Sequence, residues 1–104
     1  MFGLLVRFTC KDDAAATAFD DLVARTAEQI RANEPGTLIY TVHRVHGRPL
    51  ERVFYELYGD EAAFEEHESK DYVRAFLTER DQYLTSTEVD RLDFLYGKGA
   101  DAEH

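Results

Sequence analysis

Phe2 to Cys10 is dense in Leu, Val and Phe over a length that suits a strand, and the charged Lys11-Asp12-Asp13 that follows opens a helix. Apolar residues then recur at Ala15, Phe19, Leu22, Val23, Ala27 and Ile30, the three-and-four spacing of one helical face. Acids at the start suit the helix dipole, Asp21 and Arg25 are spaced as a helical charge pair, and Asn33-Glu34-Pro35-Gly36 stops the helix. Thr37 to His46 reads as a second strand, His46-Gly47-Arg48-Pro49 as a turn, and Arg52 to Tyr58 as a third strand closing a hairpin. Asp60 is placed to cap a short helix ending near His67. Ser69 is placed to cap another that runs to Tyr83, with Val73, Phe76, Leu77 and Arg80 on one side. Thr87 to Tyr96 supplies a fourth strand.

This order of elements is that of an α+β, ferredoxin-like split βαβ domain: a four-stranded antiparallel sheet with helices on one face. The third strand adds a constraint. Phe54 and Tyr58 point to one face while Val53, Tyr55 and Leu57 point to the other, so both faces of the sheet call for cover. Helices cover only one. A second copy of the sheet is the simplest cover for the other, which predicts a homodimer with sheets packed face to face. Residues 1–97 form the expected domain, and residues 98–104 a polar tail expected to be disordered.

Composition narrows the function. The formal net charge of −9 on 104 residues opposes binding to a phosphate backbone, and nucleic acid is set aside as a partner. Seven Phe and six Tyr give ample material for a core. The single cysteine, Cys10, excludes an internal disulfide and a multi-cysteine zinc site, and reads as a small buried hydrophobe. The opening Met-Phe-Gly-Leu-Leu-Val-Arg lacks the pattern of a signal peptide, and no apolar run approaches a membrane span, so a cytoplasmic protein with no membrane contact is expected.

The segment Glu34-Pro35-Gly36-Thr37-Leu38-Ile39-Tyr40, followed by Val53-Phe54-Tyr55-Glu56-Leu57-Tyr58-Gly59-Asp60 and the helix to His67, resembles the antibiotic biosynthesis monooxygenase (ABM) family. The shared pattern is a Pro-Gly turn into strand two, an aromatic-X-Glu-X-aromatic strand, and a histidine about eleven residues after that glutamate; Glu56 and His67 hold those two positions. The resemblance implies a dimeric α+β barrel with a ligand pocket between helices and sheet. It also implies an activity found among members: oxidation of small phenolic or quinol-type aromatics with O₂ and no metal or organic cofactor. Haem-degrading members carry a tryptophan near the position of His67 and a histidine in the next helix. This chain has no Trp, and residues 72–83 contain no histidine.

In that frame His67 is the candidate general base, Glu56 the carboxylate that orients it, and Tyr72 a hydrogen-bond donor to substrate. Tyr40, Phe54, Tyr58 and Phe76 are candidates for lining an aromatic substrate pocket, although aromatics at such spacing equally build a core. His43 faces away from Tyr40, His46 abuts the turn, and no two histidines share metal-ligand spacing on a helix. Arg74, Arg80 and Arg91 read as solvated charges. The residues leave two other functions open: a catalytically silent dimeric ligand-binding or interaction module, and an oxygen-independent isomerase or cyclase using the same base.

Overall fold

The computed structural model describes residues 1–99, so most of the expected tail lies outside the described residues. Four strands, β1 (Phe2–Cys10), β2 (Thr37–Val45), β3 (Arg48–Tyr58) and β4 (Leu84–Asp93), alternate with α1 (Asp13–Asn33), α2 (Glu61–Ser69) and α3 (Asp71–Glu79), and a 3₁₀ turn (Arg80–Tyr83) precedes β4. The strands form one sheet in the order β2-β3-β1-β4, every neighbouring pair antiparallel. This is the ferredoxin-like α+β arrangement expected from the pattern.

Local chemistry explains the element ends. The Asp12 carboxylate accepts from the Ala15 amide at 2.8 Å, and Asp60 accepts from Ala63 at 2.8 Å, so both acids cap their helices. Ser69 does not cap α3. It is the last residue of α2, where its hydroxyl donates to the Glu66 carbonyl at 2.7 Å, and extended Lys70 separates the two helices. The hairpin turn is tighter than expected: Val45 pairs with Arg48, leaving His46-Gly47 at the tip, where Gly47 takes φ 79°. Strand β3 therefore begins at Arg48, ahead of the expected Arg52, and Pro49 sits beside a register irregularity where no ladder amide is needed.

Strand β4 is displaced three residues toward the N-terminus from the expected Thr87–Tyr96. Its register is fixed by β1, with Cys10 opposite Leu84 and Phe2 opposite Asp93. Beyond Phe2 the partner strand ends, and Leu95 and Tyr96 emerge exposed.

Helix α1 buries Ala16, Phe19, Leu22, Val23, Thr26 and Ile30. Ala16 and Thr26 thus stand in the stripe where Ala15 and Ala27 were expected, and the buried Thr26 hydroxyl is satisfied by the Leu22 carbonyl at 2.9 Å. Phe8, Phe19, Phe54 and Phe76 form an edge-and-tilt aromatic cluster between helices and sheet. Arg52 clamps β3 to α1 with a two-point bond to Asp20, at 2.8 and 3.0 Å. Strand alternation separates Phe54 and Tyr58 from Val53, Tyr55 and Leu57, as the third strand's sequence implied, and the structure puts the first set, with Glu56, on the helix side. Leu5, on that opposite face, is 38% exposed, and no described helix covers it.

Candidate active site

The end of α1 holds an unusual residue. A carboxylate at a helix C-terminus meets the negative end of the dipole and is disfavoured there unless something else holds it. Glu34 occupies that position, with its backbone amide bonded to the Ile30 carbonyl, and its side chain is only 2% exposed. Three side chains hold it. Thr37, at the start of β2, donates to Oε1 at 2.8 Å, Tyr72 at the start of α3 donates to Oε2, and His67 Nδ1 lies 2.7 Å from Oε1. Glu34 thus gathers the α1 terminus, the Pro35-Gly36 turn, α2 and α3 around one buried carboxylate.

His67 faces Glu34 from the last turn of α2, with 8% of its side chain exposed. Its ring is boxed by Tyr40, Tyr58 and Phe64, with centroids 5.9, 5.3 and 6.5 Å away. A carboxylate opposite Nδ1 favours the tautomer with the proton on that nitrogen, which leaves the Nε2 lone pair for a ligand.

Glu56, expected to hold His67, is otherwise engaged. Its Oε1 accepts from the Tyr58 hydroxyl, and burial pushes its carboxyl above the ordinary carboxylate range against the opposing pull of that bond and of His67. The imidazole partner is Glu34, whose place in the chain had marked it as part of a helix stop and of the Pro-Gly segment, with no role in the site. Burial, together with Glu56, raises the Tyr58 and Tyr40 hydroxyls far above their usual range, so both stay neutral donors. The Tyr72 hydroxyl is raised by desolvation and then by its bond to Glu34.

A cavity of about 330 Å³ lies between the helices and the sheet. Of the residues singled out from the sequence, His67, Glu56, Tyr40, Phe54 and Phe76 line it. Tyr58 and Tyr72 do not: Tyr58 is fully buried beneath Glu56, and the Tyr72 hydroxyl is turned to Glu34. Leu4, Val6, Phe8 and Phe64 extend the apolar wall, and Arg80 and Arg91 are its cations. Arg91 matches the expectation of a solvated ion pair, bonded to exposed Glu61 at 2.5 Å. Arg80 pairs at 3.9 Å with exposed Asp81, but its buried Nε has no hydrogen-bond partner among the described residues. Among the described residues no group of three or more His, Cys, Asp or Glu side chains is arranged to hold a metal ion, and no helix is long and apolar enough to cross a membrane.

The fold sits within a recognisable class. Residues 1–79 match the antibiotic biosynthesis monooxygenase family, and the chain belongs to it. Solved structures agree on the fold. A candidate antibiotic biosynthesis monooxygenase of Caulobacter crescentus superposes with a TM-score of 0.85 at 24% identity, covering 91% of this chain and 90% of that one. One from Nitrosomonas europaea gives 0.83 at 21% identity, over 92% of this chain and 100% of its own. A Pseudomonas aeruginosa protein gives 0.81 at 22%, over 91% and 94%. No curated protein matches the sequence.

Proposed function

We propose that this chain is a cofactor-independent monooxygenase that oxidises a small phenolic or quinol-type aromatic with O₂. The observation that supports it best is a buried imidazole, held at Nδ1 by a buried carboxylate 2.7 Å away, in the wall of an aromatic cavity. His67 Nε2 takes the phenolic proton, and Glu34 stabilises the imidazolium that results. Glu34 rather than Glu56 has this role, and Tyr72 acts through Glu34 as a positioning residue.

The electron-rich phenolate gives one electron to O₂, and the resulting radical pair combines at a ring carbon bearing hydrogen to give a peroxide anion, which takes the proton held by His67 and becomes a hydroperoxide. Transfer of that C–H proton to the freed His67 imidazole breaks the O–O bond and leaves a carbonyl. The departing hydroxide takes the proton from His67 and leaves as water. The balance is phenol plus O₂ to quinone plus water, with the organic substrate supplying all four electrons. Water exclusion by Phe54, Phe76 and Tyr40 protects the anion from reprotonation.

The partly exposed Leu5, Val53 and Tyr55 on the sheet face turned away from the helices support a homodimer built by a second copy of the chain. The chemistry is tested with isotopically labelled dioxygen and a panel of hydroquinones and naphthols. One labelled oxygen atom in the quinone and one in water is the expected result. Binding with no O₂-dependent product would leave a ligand-binding module. Rearranged product formed under argon would leave an isomerase.

A further inference from the structure

Arg80 is the one cation of the cavity whose buried nitrogen lacks an acceptor among the described residues. It opens the 3₁₀ turn after α3, and its guanidinium carbon stands 5.3 Å from the Phe8 ring centre and 5.7 Å from that of Phe76. Both rings belong to the cavity wall. The nearest carboxylate is that of Asp81, 3.9 Å from Nε and 81% exposed, too far for a hydrogen bond. The guanidinium thus rests against two ring faces of the cavity wall, and its Nε makes no hydrogen bond to a described residue.

Its surroundings favour an incoming anion. Of the two carboxylates on the cavity wall, Glu68 is exposed, and Glu56 is pushed toward its neutral form by burial, which outweighs the opposing pull of Tyr58, His67 and Arg80 itself. Arg91 is already paired with Glu61. A guanidinium on a flat aromatic wall matches the planar two-point geometry of a carboxylate carried on a ring. On a chain of net charge −9, an anionic ligand also requires such a local cation to enter.

We infer that the cavity selects an aromatic carboxylate, whose ring lies among Phe8, Phe54 and Phe76 and whose carboxylate is received by Arg80. The inference rests on the reading of this cavity as the substrate site. Arg80 sets which phenols are accepted, while the proton is taken at His67.

The test is equilibrium binding of hydroxynaphthoate and of uncharged naphthol, followed by fluorescence or calorimetry. It compares the full chain with Arg80→Gln, Arg80→Lys and, as a control for net charge, the exposed Arg74→Gln. The wild type and Arg74→Gln are expected to bind hydroxynaphthoate roughly ten- to a hundred-fold more tightly than naphthol, the value of a charge-assisted hydrogen bond. Arg80→Gln should lose that preference while keeping naphthol affinity, and Arg80→Lys should keep part of it. Thermal melts of each variant separate loss of the subsite from loss of the fold; in a folded Arg80→Lys, loss of all preference still supports the two-point contact. Equal binding of the two probes by the wild type, or a preference that survives in folded Arg80→Gln, overturns the inference and leaves the cavity reading intact. Binding of neither probe by the folded wild type overturns both.

Discussion

The Glu34–His67 contact can be measured without knowing any substrate, through a double-mutant cycle in stability. Both groups are nearly out of water, and one short bond joins them. Glu34→Gln keeps the shape. If the amide oxygen takes the Oε1 position it still accepts from Thr37 and His67, and the amide nitrogen then faces the Tyr72 oxygen, which can turn to accept. The loss is mainly that of charge in the bonds, about 1–2 kcal/mol. His67→Phe keeps a ring among Tyr40, Tyr58 and Phe64 but leaves a buried carboxylate short of one of its three partners, about 3 kcal/mol. In the double variant no buried charge is left stranded, so its cost falls below the sum of the singles by about 1.5–3 kcal/mol. Urea unfolding followed by circular dichroism, at fixed protein concentration, provides all four corners. Additivity within about 0.5 kcal/mol would refute the claim that these two side chains form a pair.

Because burial raises the folded-state Glu56 carboxyl above its ordinary value of 4.5, its contribution is full below that pH and is lost as pH rises through the folded value; Glu56→Gln, which still accepts from Tyr58, should therefore gain stability over the wild type progressively above about pH 4.5, and a pH-independent difference would contradict this. A Cβ at Gly36 would lie 2.6 Å from the Ala63 Cβ, so Gly36→Ala should cost about 1–3 kcal/mol in thermal or urea unfolding, and distinctly less in an Ala63→Gly background. Leu5→Lys on the open sheet face should turn a dimer into a monomer in analytical ultracentrifugation; a wild type already monomeric at micromolar concentration would contradict the assembly.

Elements held by local chemistry were legible in the sequence. Asp12 and Asp60 announced their helices because an N-cap bond spans three residues. The two-faced composition of β3 showed that Phe54 and Tyr58 share a face opposite Val53, Tyr55 and Leu57, because side chains alternate along any strand. What depended on pairing across the chain was not legible. The limits of β4 follow the length of β1, about eighty residues earlier, and nothing within Thr87–Tyr96 records where that partner ends.

Glu34 shows the same limit at the site. Its partners His67 and Tyr72 stand 33 and 38 residues away, while Glu56 was nearer in sequence to His67 and equally acidic. The available signal was electrostatic: an acid at the C-terminal end of an apolar helix, where a dipole opposes it, implies a partner elsewhere. Arg80 shows a related limit. Its place on the packed side of the third helix was visible in the spacing, but the lack of an acceptor around its Nε is a property of three-dimensional surroundings.

The central claim is that a Glu34-held His67 draws a proton from an aromatic substrate that then reacts with O₂. Its most direct test is O₂ consumption by purified, metal-stripped protein offered hydroquinones and polycyclic phenols, hydroxynaphthoates among them, with His67→Ala alongside. Uptake is expected well above the autoxidation of the substrate, falling about 10²–10⁴-fold in the folded variant, the range a positioned general base contributes. Uptake undiminished in His67→Ala, or none above autoxidation across the panel, would contradict it.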